Sequence, residues 1–231
     1  MDDEYSVILN AYTLHGKAMI SKEPALVSII VRTKDRPQLL ELALKSIAGQ
    51  TYRPLEVILV NDGGCELDSE KLTQILGDVH LNYQRLDRNT GRAHAANVGI
   101  SNAQGKYIGF LDDDDLLYQD HVTILEAILE KYPYQVAYSD ANIAYIVFDP
   151  ELQDMVTKEK RLFSSKNFSY RELIIDNYIP LMCILFSKDV FQNVQWFDES
   201  FDVYEDWDLL IRVAERYPFY HIKKITAEYI Q

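Results

Sequence analysis

Gly105-Lys106-Tyr107-Ile108-Gly109-Phe110-Leu111-Asp112-Asp113-Asp114-Asp115 decides the fold. Tyr107 to Leu111 is a short, nearly continuous apolar run, the pattern of a strand buried on both faces. It runs straight into four adjacent carboxylates, so a buried strand delivers its carboxyl end to an acidic loop. Upstream, Leu26 to Val31 and Leu55 to Val60 read as two further buried strands. Pro37 suits the first turn of a helix, and Leu40, Ala43, Leu44, Ile47 and Ala48 give that helix one apolar face. Asn61-Asp62-Gly63-Gly64 is the turn after the second strand. A weaker helix near Ser69 to Leu76 and a short strand near Leu81 to Leu86 follow. Asn89-Thr90-Gly91 then opens a helix over about Arg92 to Ala103. Strands alternating with helices predict an α/β fold with a Rossmann-like, mainly parallel sheet flanked by helices, joined by right-handed crossovers.

The pattern changes beyond the aspartates. Val122, Leu125, Ile128 and Leu129 line one face of a helix. Val136 to Tyr138, Ile143 to Phe148 and Pro180 to Phe186 read as shorter strands with polar connections. A strong final helix is expected over about Glu205 to Arg216, with Trp207, Leu210, Ile211, Ala214 and Tyr217 apolar. Residues 1–25 read as a leader or linker. A soft boundary near residue 116 divides 26–115 from a mixed half, 116–231, of the same domain.

Composition narrows the function. An apolar fraction of 48% over 231 residues fits a folded domain. A formal charge of -13 disfavours nucleic acid as a partner, because that surface must replace phosphate counterions with its own cations. An acidic protein that handles a polyanion needs a local cation, which a divalent metal would supply. The two cysteines, Cys65 and Cys183, exclude a disulfide framework and a cysteine zinc site, and suit a reducing cytoplasm. Met1 to Glu4 is acidic where a secretory signal starts basic, and no apolar run approaches the ~20 residues that cross a bilayer. The expectation is a cytoplasmic protein, or one at the inner face of the membrane, with any membrane contact peripheral.

In an open parallel sheet, ligands bind outside the carboxyl ends of the strands. Thr33 and Asp35 follow the first strand, Asp62 the second, and Asp112 to Asp115 the fourth. Adjacent carboxylates repel, so a hard cation such as Mg2+ or Mn2+ would relieve them, typically by joining one or two carboxylates to substrate phosphates. A solvated acidic turn that caps the next helix is the competing reading. Asp62 reads either as an ordinary Asp-Gly turn residue or as an acceptor for a base N–H or a ribose hydroxyl. Thr33 reads either as a ligand contact or as a hydroxyl bonding its own backbone. Arg92 begins a helix, where the dipole disfavours a cation and an anionic phosphate would offset that. Glu205-Asp206-Trp207-Asp208 reads either as helix capping or as the place of a general base.

Together these segments resemble family-2 glycosyltransferases of the GT-A fold. The resemblance is carried by Val27 to Pro37, Val60 to Gly64, Asn89 to Ile100, Gly105 to Asp115, and Phe197-Asp198-Glu199 with Glu205 to Leu210. It implies an inverting transferase that moves a hexosyl or N-acetylhexosaminyl unit from a nucleoside diphosphate sugar, a UDP-sugar, to an acceptor hydroxyl. Polysaccharide, lipopolysaccharide or glycoconjugate synthesis is the implied setting, with a saccharide or glycolipid acceptor. Residues 26–115 become the nucleotide-sugar half and 116–231 the acceptor and catalytic-base half. By position, Thr33, Asp35, Asp62, Arg92, Asp112 and Asp113 resemble donor contacts. The Asp-X-Asp metal motif falls on Asp112 and Asp114, with Asp114 the direct ligand of Mn2+ or Mg2+, and Asp206 resembles the catalytic base. Two departures stand out. Asp35 stands where the family often has Asn, and the chain ends at Gln231 where many relatives continue into a segment that can bear a metal-binding His.

Two other functions compete. An aspartate phosphotransferase would use Asp112 as nucleophile and Asp114 as acid/base. That class carries its aspartate pair after the first strand, where this chain has Arg32-Thr33-Lys34-Asp35. A non-catalytic sugar-nucleotide binding module would bind donor without turnover, and Asp206 weighs against it.

Overall fold

The computed structural model describes residues 23–149 and 154–231. Of the leader expected over 1–25, residues 1–22 lie outside the described residues. In chain order the elements are β1 (Val27–Thr33), α1 (Pro37–Ala48), β2 (Leu55–Asn61), α2 (Ser69–Leu76), β3 (His80–Arg85), α3 (Arg92–Asn102), β4 (Tyr107–Asp112) and β5 (Leu116–Leu117). Then come α4 (His121–Lys131), β6 (Val136–Asp149), β7 (Asp154–Ser164), α5 (Tyr170–Leu173), a 3-10 turn (Leu181–Cys183), β8 (Ile184–Ser187), α6 (Val190–Asn193), α7 (Glu205–Ala214) and β9 (Phe219–Ile230).

One sheet in the order β3-β2-β1-β4-β8-β6-β9-β5 runs through the whole fold, with β7 added on β6. β3, β2, β1 and β4 are mutually parallel. β8 is antiparallel to both β4 and β6, and β9 runs parallel to β6. The sheet is therefore continuous across residue 116. Alternation along β1 sorts the core into two layers. Val27, Ile29 and Val31 pack with the apolar residues of α1, α2 and α4, whereas Ile30 packs with those of α3 and α7. Both faces of the central strands are covered, which is why they read as continuous apolar runs.

The second half departs from expectation. Val136 to Tyr138 and Ile143 to Phe148 belong to one strand, β6, because the polar residues between them find partners inside the fold. Ser139 Oγ lies 2.6 Å from Thr226 Oγ1, and Asp140 Oδ1 lies 2.7 Å from His221 Nε2. Of the third expected region only Ile184 to Phe186 is strand, within β8, and it is preceded by the 3-10 turn. β7 and β9 were not expected at all. In β9 the charges of Lys223, Lys224 and Glu228 interrupt the apolar pattern, yet Glu228 is buried and accepts from Tyr118 Oη (2.6 Å) and from Lys160 Nζ.

β9 also encloses a histidine. His121 at the start of α4 is 3% exposed, and its Nδ1 lies 2.7 Å from Thr226 Oγ1. Burial pushes its pKa down from 6.5 to about 4. The unfolded imidazole takes up a proton near pH 6.5 and the native one resists it. The stability this provides is full above the unfolded pKa and is lost as pH falls toward about 4. Urea midpoints measured from pH 7 downward should fall across that window. His121→Gln should lack that component of the fall. Parallel profiles for the two proteins would contradict it.

Candidate active site

β1 and β4 are parallel neighbours with Arg32 opposite Asp112, so their carboxyl ends emerge side by side. The alternation that puts Ile30 on the α3 and α7 face puts Arg32 there too, and its contacts agree. Arg32 Nε and Nη2 donate to Asp112 Oδ1 (2.9 and 2.5 Å), and Nη1 donates to Glu205 Oε1 (3.1 Å) and to the Arg92 carbonyl (3.3 Å). Burial alone would lower the pKa of this 7% exposed guanidinium, but Asp112 and Glu205 more than offset it, and the net shift is upward. Arg92 Nε also reaches Glu205 Oε1 (3.2 Å). One guanidinium thus ties the first aspartate of the acidic run to the first turn of α7.

The rest of the run divides by direction. Asp113 is fully buried, and its Oδ2 accepts from Thr33 Oγ1 (2.6 Å). Its Oδ1 lies 2.5 Å from Arg36 Nη2 without hydrogen-bond geometry, so we regard that contact as charge pairing alone. Burial raises the Asp113 pKa, partly countered by Thr33 and Arg36. Arg36 Nη1 also donates to Asp114 Oδ2 (2.5 Å). Asp115 turns inward to accept from the Ile230 amide (3.1 Å), and burial, with Asp112 nearby, pushes its carboxyl up to about 8. The four carboxylates are therefore not equivalent.

On the β2 side, Asp62 is 7% exposed and both its oxygens are engaged. Oδ1 accepts from the Thr90 amide (2.7 Å) and hydroxyl (2.9 Å), and Oδ2 accepts from the Gly91 amide (3.0 Å). Asp62 therefore fixes the loop that starts α3 at Arg92. Gly63 is required beside it, since its φ is 71° and a Cβ would meet the Arg88 carbonyl carbon at 2.2 Å. Asp35, itself at φ 55°, accepts from the Cys65 amide (2.8 Å) and joins the two loops.

α7 begins abruptly. Tyr204 sits at φ 65°, a strained conformation for a bulky residue, and offers no side-chain cap. Glu205, Asp206 and Asp208 occupy the first turn, where the dipole favours negative charge. Asp206 Oδ1 accepts from the Trp207 amide (2.8 Å), and Asn177 Nδ2 donates to Oδ2 at a long 3.5 Å.

A cavity of about 340 Å³ opens at this point. Arg32, Arg92, Asp112, Asn177, Glu205 and Asp206 converge on it. Of the residues expected from sequence, the structure brings Asp112, Arg92 and Asp206 to one cavity. Thr33, Asp113 and Asp114 adjoin it through the acidic run, and Asp35 and Asp62 brace the flanking loops. Sequence reasoning missed Arg32, Arg36 and Asn177, and did not single out Glu205 from its neighbours. Period-two alternation past Ile30, which places Arg32 on the same face, is the unused signal that would have found Arg32.

The donor set fits a divalent ion shared with a phosphate ligand. Among the described residues, no three His, Cys, Asp or Glu side chains form a ready-made cage. Mg2+ and similar ions need none, because they take one or two carboxylates and complete their shell with water and substrate phosphates. Arg32 engages only Oδ1 of Asp112, which leaves Oδ2 for such an ion at the cavity wall.

The pattern of Glycosyl transferase family 2 matches residues 28–194. The uncharacterized glycosyltransferase YwdF of Bacillus subtilis is 28% identical over 193 residues, covering 83% of this chain and 69% of its own. The uncharacterized glycosyltransferase RC0461 of Rickettsia conorii is 28% identical over 190 residues, but this chain spans only 30% of its length. In structure the chain is similar to S. aureus TarS 1-349 in complex with UDP-GlcNAc, with TM-score 0.73, 16% identity, and 89% of this chain and 58% of that one covered. It is also similar to the mannosyltransferase PcManGT of Pyrobaculum calidifontis in complex with GDP-Man and Mn2+, with TM-score 0.67, 15% identity, and 98% and 65% covered. At these identities the structural likeness establishes the fold, which is GT-A. The family match covers most of the chain, and the chain belongs to glycosyl transferase family 2.

Proposed function

We propose that the chain transfers a sugar from a nucleoside diphosphate sugar, a UDP-sugar, to a hydroxyl of a saccharide or glycolipid acceptor, with inversion. The observation that carries this reading is the cavity where Asp112 and Arg92 face Asp206. The support for UDP is the likeness to TarS, whose structures hold UDP and UDP-GlcNAc. In this reading the diphosphate lies against Asp112, Arg92 and Arg32, and the nucleoside runs toward Thr33, Asp35, Asp62 and Asp113. Asp62 and Asp113 shape that wall, since their carboxylates are already engaged. Asp206 takes the proton of the acceptor hydroxyl as it attacks the anomeric carbon, and its place on the cavity wall puts it within reach of that hydroxyl. Mn2+ or Mg2+, held by Asp112 and Asp114, would stabilise the charge that grows on the departing diphosphate.

The test is calorimetric titration with UDP, GDP and their sugar conjugates, with Mn2+ and with excess chelator. Chelation should weaken nucleoside diphosphate binding by about tenfold or more, because this wall carries net negative charge without a metal. Asp114→Asn should reduce the Mn2+ dependence and leave the fold intact. Equal affinity with metal and with chelator would contradict the reading. Unchanged Mn2+ dependence in Asp114→Asn would remove Asp114 from the ligand set and leave the role to Asp112 or Asp113.

A further inference from the structure

Among the described residues, two buried acceptor atoms at the cavity lack a donor. Glu205 is 1% exposed, and its Oε1 is occupied by Arg32 Nη1 at 3.1 Å and Arg92 Nε at 3.2 Å. Its Oε2 is buried without a hydrogen-bond partner. Asn177 Oδ1 is in the same condition. Asn177 Nδ2 donates to the Asp206 carboxylate at 3.5 Å, so Oδ1 is the uncommitted end of that amide. Both residues line the one cavity that also holds Asp112 and Asp206. Buried acceptors left without donors are unfavourable, and a pair of them in one ligand-sized cavity indicates donors that arrive with a ligand.

We propose that Glu205 Oε2 and Asn177 Oδ1 form a two-acceptor subsite for hydroxyl groups of the sugar being transferred, a proposal that rests on the reading of the cavity as a sugar-nucleotide site. Hydroxyls are the fitting chemistry. A phosphate has no proton to offer and would be repelled by the carboxylate. A cation would compete with the two guanidinium groups that already neutralise Glu205. A hydroxyl donated to a carboxylate forms a charge-assisted hydrogen bond, stronger than a neutral one. The two arginines hold Oε1, which leaves Oε2 as the uncommitted acceptor of a residue on the cavity wall. Asn177 lies beside the proposed base, so the hydroxyls it accepts belong to the ring that undergoes attack. A site built this way discriminates against sugars that lack the matching hydroxyl, since the buried acceptors would then stay unpaired.

The experiment compares Glu205→Gln and Asn177→Leu with wild type by titration with UDP, UDP-GlcNAc, UDP-glucose, GDP and GDP-mannose, all with Mn2+ and without acceptor. Glu205→Gln replaces one acceptor oxygen with a donor amide at nearly constant shape. For the nucleotide sugar that wild type prefers, each variant should lose roughly tenfold or more in affinity relative to the matching nucleoside diphosphate, and Asn177→Leu, which touches neither arginine, should leave the diphosphate within about twofold. A deoxy analogue of that sugar should lose affinity in wild type and lose no more in the variant. If Glu205→Gln fails to fold by circular dichroism, Asn177→Leu carries the test alone. Equal loss for nucleotide and nucleotide sugar, or no loss for either, would overturn the subsite. Unchanged donor binding with a raised acceptor KM would also overturn it, by assigning the hydroxyls to the acceptor. A wild type that binds nucleoside diphosphates but gains nothing from the sugar overturns the subsite alone. A wild type that binds no nucleotide overturns the proposed function as well.

Discussion

Replacing Asp206 by Asn is expected to lower turnover by about 10²- to 10⁴-fold while donor affinity stays within about twofold, the range typical for loss of a general base. The first turn of α7 offers three carboxylates, and geometry separates them. Glu205 is buried between Arg32 and Arg92. Asp208 is paired with Arg212 at 2.7 Å. Among the described residues, Asp206 has only the adjacent Trp207 amide and a long contact from Asn177, and it lines the cavity. Asn can keep the bond to the Trp207 amide and is nearly as good a helix start as Asp, so folding stability should barely change. Turnover and donor affinity measured on one preparation decide the matter. Near-wild-type turnover would remove Asp206 as the base and direct attention to Asp208.

Replacing Arg32 by Met is expected to destabilise the fold by about 3 kcal/mol, the lower end for breaking a buried ion pair. Arg32 is the hub of the site, with contacts to Asp112, Glu205 and the Arg92 carbonyl. Without it, Glu205 keeps only the half-exposed Arg92 as a charged partner. The low end of the range applies because Arg92 remains and the Asp112 side chain is 37% exposed, so water relieves part of the loss. Such a loss is a large share of the 5–15 kcal/mol that typically holds a domain together. Arg32→Lys should restore only part of it, since an ammonium cannot serve two carboxylates with a planar fork. The check is the urea midpoint and slope of the three proteins. A change below about 0.5 kcal/mol in Arg32→Met, as for an ordinary surface site, would contradict the hub role.

The parallel half of the fold was legible because each buried strand shows as an apolar run and each turn carries its own chemistry. Ser69 to Leu76 was expected and found as α2, and β1, β2 and β4 each extend only one or two residues past their expected ends. The mixed half was less legible. β6 and β9 carry polar residues that are paired only across the sheet, as with Ser139 and Thr226 or Asp140 and His221, and no local pattern reveals such partners. The same physics limited the site. The acidic run announced itself, but which way each aspartate turns depends on Thr33, Arg32 and Arg36 in another strand and loop. Asp62 was visible as a turn residue, while its grip on Thr90 and Gly91 is a contact across 28 and 29 residues. Glu56 is similar, since it lies inside an apolar strand yet accepts from Ser28 Oγ (2.5 Å) and the Gln104 amide (2.7 Å).

The central claim is sugar transfer by single displacement in the cavity between Asp112 and Asp206. Proton NMR of the protein with diamagnetic Mg2+ and α-linked nucleotide sugars, with a saccharide acceptor or with water as the acceptor, reads it most directly. The account predicts cleavage of the sugar–phosphate bond, release of the nucleoside diphosphate, and first appearance of the sugar in the β configuration. A donor that binds yet stays intact, or a sugar released first in the α configuration, would contradict it.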